Sequence, residues 1–281
     1  MSDAILQEGK ENTQIDQSLG LLRVIESLSL RNTTETIAVL QLLLRKVSLP
    51  PELFDAVRRA ELRNRGMASK ISAVVELYGG EEAQVPLRLA SYDVRQFFSV
   101  LTDQINTALG HKVKGDVSFV MDEFEDLSAT FDARRVCMIL YHLVANALQH
   151  GITENKNVVL CPCLQDGIFE ISVRDYGGGI AKERQEKLFT GFTEAMNLQT
   201  LAQGAVLPRI QGIGLPLCRK LVEEMEGELK FKNYKNGAKF ILRLPQQGHR
   251  IRELSLYYPD DTLMQACVAD LLEEINEKTE V

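Results

Sequence analysis

The amino-acid sequence predicts an α+β fold in which an N-terminal helical hairpin is followed by an α/β sandwich. Apolar residues recur at steps of three and four through the first 80 residues, which is the spacing of amphipathic helices. Farther along the chain, segments with the period-two alternation of β-strands are interspersed with helical segments. The length of 281 residues suits one or two domains.

The hairpin is predicted over residues 15–80, after a polar lead of residues 1–14. Its first helix covers Ile15–Val47 and ends before Pro50-Pro51, and its second helix ends at Gly79-Gly80, since proline and glycine both terminate helices. Each amphipathic helix buries apolar surface on one side only. We therefore expect two copies of the chain to meet as a four-helix bundle, which predicts a homodimer.

A second domain is predicted over residues 85–245, and residues 246–281 form a C-terminal extension with a predicted helix at Asp261–Glu277. The second domain reads as a strand-like segment at Pro86–Leu89, helices at Asp93–Leu109, Asp132–His150 and Leu215–Glu226, and strands at Val117–Met121, Val158–Pro162, Phe169–Arg174, Glu228–Asn233 and Ala238–Leu244. This order predicts helices packed on one face of a mixed sheet.

Charge and hydropathy exclude two kinds of partner. The formal net charge is −7 and no Lys/Arg cluster is interleaved with aromatic residues, so nucleic acid is not an expected partner. The first residues lack the basic start and apolar centre of a signal peptide. The most apolar stretch, Val136–Leu148, contains His142 and Asn146 and is shorter than a membrane helix. We expect a cytoplasmic protein that does not bind a membrane.

The cysteines leave one alternative open. Cys161 and Cys163 form a Cys-Pro-Cys pair that could bind a metal or act as a redox switch. No second Cys/His pair lies at the spacing of a zinc site, so reduced thiols in a strand and in helices are the favoured interpretation.

A first glycine cluster follows the alternating strand pattern that ends near Val173. Asp175 stands at the strand end, where its carboxylate can accept a hydrogen bond from an exocyclic amine. Gly177 and Gly179 let the backbone turn sharply and approach a ring or a ribose closely. Taken alone, such a segment is more often only a turn.

A second glycine cluster, Gly212-Ile213-Gly214-Leu215, opens a predicted helix. Free backbone N–H groups and the helix dipole favour anionic phosphates there, although a Gly-x-Gly pattern is often only a helix cap. Asn146 projects from an otherwise apolar helix, where its amide oxygen could join the coordination sphere of Mg²⁺. The alternative for Asn146 is an amide satisfied by backbone groups.

The ordered set of motifs resembles the catalytic and ATP-binding domain of histidine kinases, which belongs to the GHKL family with type II topoisomerases, Hsp90 and MutL. The resemblance covers residues 85–245. Four segments resemble the N, G1, F and G2 boxes of the family, and these are Asn146-Ala147, Asp175-x-Gly177-x-Gly179, Leu188–Phe192 and Gly212-x-Gly214-Leu215.

This resemblance implies a site for ATP and Mg²⁺. Its residues would be Asn146, Asp175, Gly177, Gly179, Gly212, Gly214 and Leu215. Asn146 would hold Mg²⁺, Asp175 would bind the adenine amine, and the glycines would shape the base pocket and contact the phosphates. Residues Thr193–Ile210 would form a mobile lid over ATP.

Two positions depart from the N box. His142 stands where a second asparagine is common, and Gln149 stands where a basic residue often meets phosphate. His142 is either a nucleotide contact or a plain helix-face histidine.

The phosphoacceptor of a histidine kinase is missing from the hairpin. Residues 27–33 resemble the acceptor motif His-Glu-Leu-Arg-Asn/Thr-Pro, but Leu28 occupies the position of the histidine and Ser29 that of the acidic residue. Leucine has no lone pair to attack a γ-phosphoryl group, so we expect no autophosphorylation on histidine at this site. The hydroxyls of Ser27, Ser29, Thr33 and Thr34 are alternative acceptors, but unactivated hydroxyls are poor nucleophiles.

Two classes of function remain. The first is a histidine-kinase-like protein of two-component signalling that binds ATP and acts by docking a response regulator or an authentic kinase. The second is an active protein kinase or ATPase that uses the same site on a separate acceptor. A competent histidine kinase would need an acceptor supplied by a partner chain.

Overall fold

The computed structural model describes residues 33–54, 56–58, 60–61, 64–65, 68, 86–110, 116–121, 127–150, 157–185, 188–189, 214–246 and 254–257. The chain divides into two compact units, Met1–Pro86 and Leu87–Val281.

The described part of the first unit contains two helices separated by a break at residues 47–50. Helix α1 covers residues 33–46, and helix α2 starts at residue 51 and includes the described residues up to 68. The predicted break at Pro50-Pro51 is therefore confirmed, because proline cannot continue a helix. Leu28, the rest of the acceptor motif before residue 33, and the predicted end at Gly79-Gly80 lie outside the described residues.

A buried polar network joins the two helices of this unit. The Gln41 amide donates to Glu61 Oε1 at 3.2 Å, and Arg65 donates to the same oxygen at 2.9 Å. Glu61 and Arg65 are both buried and form an ion pair one helical turn apart. The carboxylate thus has two donors, which limits the cost of removing it from water.

The described part of the second unit contains eight strands in two sheets. In chain order its elements are β1 (Leu89–Asp93), α3 (Val94–Leu109), β2 (Val117–Phe119), β3 (Ser128–Asp132), α4 (Ala133–His150), β4 (Val158–Gln165), β5 (Ile168–Arg174), α5 (Lys182–Gln185), α6 (Gly214–Glu224), β6 (Glu228–Tyr234), β7 (Gly237–Pro245) and β8 (Leu254–Ser255). The larger sheet has the order β2-β4-β5-β7-β6, and the smaller has the order β3-β1-β8.

The core lies between one face of the larger sheet and the helices. Alternate residues of β5 and β7 are almost fully buried, including Ile171, Val173 and Leu242. Helix α4 buries most of its apolar side chains, as its position in the core requires. Helix α3 begins at Asp93, whose side chain caps the helix by accepting from the backbone N–H of Gln96 at 2.9 Å.

The expectation of one mixed sheet is wrong, since the structure has two sheets. The strand predicted at Pro86–Leu89 starts only at Leu89 and extends to Asp93, and β3 has no counterpart in the prediction. Four of the five residues of β3 are buried, so the period-two signal is absent from its sequence. Strand β1 pairs antiparallel with β3 and parallel with β8.

Strand β8 lies beyond residue 245, where the predicted second domain ends. Tyr257 follows this strand and is buried against the rings of Phe97 and Tyr92, with ring centroids 4.5 Å and 6.4 Å away. Its hydroxyl lies 3.0 Å from the Cys137 thiol of α4. Part of the predicted extension is therefore built into the second unit, whereas the predicted helix Asp261–Glu277 lies outside the described residues.

Two glutamine side chains complete the pairing around the smaller sheet. The Gln96 amide donates to the Tyr257 carbonyl at 3.2 Å and accepts from the Tyr257 N–H at 3.3 Å. Gln246 does the same with Thr130 of β3, at 3.0 Å and 2.7 Å. The Gln246 backbone N–H also donates to the Gly167 carbonyl at 2.8 Å, so this residue joins the two sheets.

Burial raises the pKa of the Tyr92 hydroxyl, and the negative charge of Asp132 adds to the effect.

Among the described residues, none of the helices combines the length and the apolar composition that crossing a bilayer demands.

Candidate functional site

The carboxylate of Asp175 is held at the end of β5 by backbone donors. Its Oδ1 atom accepts from the N–H of Gly177 at 2.9 Å and from that of Ala238 at 3.2 Å. The Asp175 N–H donates to the Ala238 carbonyl at 3.0 Å, which extends the pairing of β5 with β7. No hydrogen bond to Oδ2 comes from the residues that the structure describes. One oxygen is thus fixed, and the other can accept from a ligand.

Gly179 is required by both its backbone conformation and its surroundings. Its φ is +73°, a region that residues with a Cβ atom rarely adopt. A Cβ atom here would lie 2.6 Å from the Tyr234 carbonyl oxygen and 2.9 Å from Asn233 Oδ1. The loop after Asp175 therefore packs directly on the end of β6.

The side chain of Asn233 fixes the loop that follows Gly179. It accepts from the Ile180 N–H at 2.8 Å and donates to the Ile180 carbonyl at 2.9 Å. Gln185 of α5 donates to the same carbonyl at 2.8 Å. Asn233 could not be identified from local sequence, because only the pairing of β6 with β7 brings it to this loop.

Gly237 is a second residue that the sequence analysis missed. Its φ is +124°, and a Cβ atom here would overlap the Asp175 carbonyl oxygen and lie 3.0 Å from Asp175 Oδ1. The signal that could have found it is the Asn236-Gly237 turn between two strand patterns. Gly237 lets β7 approach the aspartate closely enough for Ala238 to donate to it.

The second glycine cluster lies against helix α4. Gly214 is the first residue of α6, and a Cβ atom here would lie 3.2 Å from Nδ1 of His142. The departure from the N box, His142, is therefore next to the N-terminus of α6. Leu215 follows Gly214 and is half-buried, whereas Gly212 lies outside the described residues.

Asn146 lies one turn after His142 on α4, so the two residues share a face of that helix. Asn146 is half-buried, and none of the described residues forms a hydrogen bond with its amide. An amide without a protein partner at such a position is available to a ligand.

Helices α4 and α6 are joined at their other ends. Arg135 of α4 forms an ion pair with Glu224 of α6, and both side chains are largely buried. The Cys218 thiol of α6 donates to the Ile139 carbonyl of α4 at 3.7 Å. These contacts hold the N-terminus of α6 at a fixed position beside His142.

The described part of the F box packs on β6 and α6. The ring of Phe189 lies 6.3 Å from that of Phe231, and the Arg219 guanidinium lies 6.0 Å from the Phe189 centroid. The predicted lid Thr193–Ile210 lies outside the described residues.

Cys161 and Cys163 both lie in strand β4. The two residues alternate with the buried Pro162 on β4, and neither is in a disulfide. In the part of the chain that the structure describes, no three His, Cys, Asp or Glu side chains form a group that could hold a metal ion.

Taken together, the elements offer three chemical functions in one unit. Asp175 provides a hydrogen-bond acceptor beside glycines whose backbone a ligand can approach closely. The N-terminus of α6 provides backbone donors for an anion, and Asn146 provides a neutral oxygen ligand. This combination suits a ligand that carries an amine and phosphates.

Comparison with known proteins finds a family match within this unit. Residues 131–248 match the family described as histidine kinase-, DNA gyrase B-, and HSP90-like ATPase. The matched segment includes Asn146, Asp175 and Gly214 and ends before β8.

Curated relatives are sensor kinases. The chain is 27% identical over 225 residues to the sensor protein GacS of Pseudomonas syringae pv. syringae, covering 77% of this chain and 24% of that protein. It is 28% identical over 200 residues to the signal transduction histidine-protein kinase AfsQ2 of Streptomyces coelicolor, covering 71% of this chain and 34% of that protein. The chain thus spans only a quarter to a third of the length of these relatives.

Solved structures share the fold at low identity. The Acinetobacter baumannii histidine kinase AdeS matches with a TM-score of 0.51 and 17% identity, over 78% of this chain and 98% of that chain. Full-length ShkA in complex with AMPPNP matches with a TM-score of 0.58 and 21% identity, over 79% of this chain and 45% of that chain. The family match, the sensor-kinase relatives and the fold agree, and residues 131–248 are similar to the ATPase core of histidine kinases.

Proposed function

We propose that the second unit binds ATP with Mg²⁺ and that Asp175 recognises the adenine base. The observation that carries the proposal is the carboxylate at the end of β5, held through Oδ1 by Gly177 and Ala238. Because that anchoring leaves Oδ2 for a ligand, the aspartate can accept from the exocyclic amine of adenine without moving. The ATPase family of residues 131–248 supports the same choice of ligand.

The other residues of the site would contact the phosphates, the base or Mg²⁺, each according to its chemistry. Gly214 and Leu215, at the N-terminus of α6, and Gly212 before them would take the phosphates, because free N–H groups and the helix dipole favour anions. Gly177 and Gly179 would shape the base pocket. Asn146 would hold Mg²⁺, which when bound neutralises part of the phosphate charge. His142 lies beside Gly214 and would contact the same phosphates.

The substitution Asp175→Asn tests the adenine contact. The asparagine oxygen can keep the bonds to Gly177 and Ala238, and its amide then presents a donor toward the donor amine of adenine. We expect the Kd for ATP, measured by calorimetry with Mg²⁺, to rise about 10- to 100-fold while the unfolding temperature stays nearly unchanged.

A matched control is Asp166→Asn, which makes the same change in the exposed turn between β4 and β5. This variant should bind ATP like the wild type. Equal ATP affinity of Asp175→Asn and the wild type would contradict the assignment of the adenine contact.

We further propose that the chain does not phosphorylate a histidine of its own hairpin and acts through a partner. Leu28 stands at the acceptor position, and leucine cannot serve as a nucleophile. The partner would be a response regulator or an authentic kinase of a two-component system, because the similar proteins are sensor kinases. The first unit would form a homodimer through its helical hairpin.

Incubation with γ-labelled ATP and Mg²⁺ tests this second proposal. We expect no acid-labile label on the wild-type protein, and label on Leu28→His if only the acceptor was lost. Label on the wild type would contradict the proposal and would favour an active kinase with another acceptor. Release of labelled phosphate without labelled protein would favour an ATPase.

A further inference from the structure

Three cations lie side by side on the face of the larger sheet that points away from the helices. Arg174 of β5 pairs directly with Lys239 of β7, and Lys239 pairs directly with Lys232 of β6. Residues opposite each other in antiparallel strands have side chains on the same face, roughly 5 Å apart at Cβ. We call these three residues the cationic row.

The cations of the cationic row have no acidic partner among the described residues, whereas the next charged row of the same face pairs its cation with glutamates. There, Arg243 lies 3.5 Å from Glu170 and 3.9 Å from Glu228, and Glu228 lies 2.7 Å from Lys230 of the row between. No described residue forms an ion pair with a member of the cationic row. Like charges directly opposite each other destabilise a sheet, so the arrangement favours an external anion.

Arg174 is held in place at one end of the row. Its guanidinium lies 4.9 Å from the ring centroid of Tyr176 and 4.7 Å from that of Tyr234. Both rings are partly exposed, and stacking of this kind uses the guanidinium face rather than its N–H groups. Among the described residues, none accepts a hydrogen bond from the Arg174 guanidinium, whose Nε is buried. The two rings therefore orient the guanidinium without using its N–H groups.

The same chain contains an acidic segment of matching charge. Residues 258–281 carry seven acidic side chains and one lysine, so they account for six of the seven net negative charges of the chain. Three of the acidic residues, Glu273, Glu274 and Glu277, lie within one short stretch. The segment follows Tyr257, which is anchored in the second unit by Gln96 and Cys137.

We propose that the acidic segment 258–281 docks on the cationic row of its own chain. Tethering at Tyr257 favours this occupant over a free acidic protein, because linkage within one chain raises the effective concentration of the segment at the row. The acidic residues Glu273–Glu277 follow Tyr257 by 16 to 20 residues, which span up to roughly 50 to 70 Å if extended and roughly 25 to 30 Å if helical as predicted. The proposal involves neither nucleotide nor the residues of the ATP site, so it stands or falls separately from the proposed function.

Zero-length carbodiimide crosslinking of the full-length protein at low salt tests the docking. We expect mass spectrometry to find bonds between Lys232 or Lys239 and Glu273, Glu274 or Glu277, and to find them lost at high salt. A mixture of ¹⁴N- and ¹⁵N-labelled chains identifies the partner. Crosslinks only between differently labelled chains would assign the surface to a second copy and overturn the proposal.

Lysine acetylation rates provide the second readout. In the variant Glu273→Gln/Glu274→Gln/Glu277→Gln, acetylation of Lys232 and Lys239 should become about threefold faster or more, because the docked segment no longer shields them. Lys182, on the separate helix α5, is the control and should react at the same rate in both proteins. Unchanged rates at Lys232 and Lys239, with no crosslink to the segment, would also overturn the proposal.

Discussion

At the scale of single residues, the position of the Asp175 carboxylate depends on a glycine from a different part of the chain. Gly237 lies in the turn between β6 and β7, and the absence of a side chain lets its backbone touch that of Asp175. Ala238, the next residue, then donates to the carboxylate at 3.2 Å. The geometry of the site is thus set by the turn as much as by the aspartate.

The substitution Gly237→Ala should therefore affect both stability and binding. The alanine would have to adopt a φ of +124° and its Cβ would overlap the Asp175 carbonyl oxygen. We expect a loss of about 3 kcal/mol or more in the free energy of unfolding, measured by urea denaturation, together with weaker ATP binding.

Gly110→Ala is the matched control for this experiment. Gly110 also has a positive φ, +52°, but a Cβ atom there would meet nothing within 4 Å. Its cost should be about 1–2 kcal/mol, with ATP binding unchanged. Equal losses in the two variants would show that close contact with Asp175 is unimportant.

The residues of the site differ in how far sequence alone could identify them. Asp175 and Gly179 follow a strand with clear alternation, so their position at a strand end could be predicted. The Asn236-Gly237 turn has a local signal, but Asn233 and Gly237 act on the Asp175 segment only because β6 and β7 pair beside β5, and that proximity leaves no local signal.

At the scale of elements, β8 and Tyr257 close the smaller sheet with a segment outside the family match. The Tyr257 ring packs among Phe97 and Tyr92, and its hydroxyl meets Cys137 of α4. A segment of only two paired residues cannot be stable by itself. Its position must depend on the buried ring.

Tyr257→Ala should consequently release this segment. We expect the free energy of unfolding to fall by about 3–5 kcal/mol, as for the removal of other large buried aromatic side chains. The Cys137 thiol should react faster with a thiol reagent, as followed by mass spectrometry.

Leu254→Ala tests whether the ring rather than strand pairing is responsible. Leu254 lies in β8 but its side chain is 60% exposed, so the change should cost no more than about 0.5 kcal/mol. If both variants were equally stable and Cys137 remained protected, the ring would not hold the segment.

Elements with a regular pattern were predicted well, and short or fully buried ones were not. Helix α3, helix α4 and strands β5 and β7 follow the predicted ranges within about two residues, because each is long enough to show a repeating apolar pattern. Strand β3 is buried on both sides, and β8 is too short to show any period.

At the scale of the whole molecule, the first unit leaves apolar side chains uncovered. Val39 and Leu42 of α1 are 57% and 59% exposed, and they lie three residues apart on one helix face. Apolar residues grouped on a helix face indicate an interaction surface. A second copy of the chain is the expected occupant of this surface.

Light scattering at micromolar concentration should therefore give the mass of two chains for the wild type and of one chain for Leu42→Glu. A buried glutamate without a partner would cost more than the packing of the dimer at that position provides. Leu256→Glu changes an equally exposed leucine in the second unit and should remain dimeric. A monomeric wild type would contradict the homodimer.

The separation of the chain into two units could be predicted, but the number of sheets could not. Helical periodicity and the break at Pro50-Pro51 separate the first unit from the second. The smaller sheet forms because β1 pairs with β3 about 40 residues farther along, and Leu254–Ser255 joins β1 from more than 150 residues away. Sequence patterns report on residues that are close along the chain, so they cannot predict pairing between segments this far apart.

The side chains of Gln246 and Gln96 affect how the strands of the smaller sheet align. A primary amide carries a donor and an acceptor at a fixed separation, like a peptide group, and each glutamine uses both on a single residue, Thr130 or Tyr257. A slip of β3 or of the segment after β8 by one residue would break both bonds at once and turn every side chain to the opposite face. The alignment of the smaller sheet is therefore dictated by two amides that belong to none of its strands.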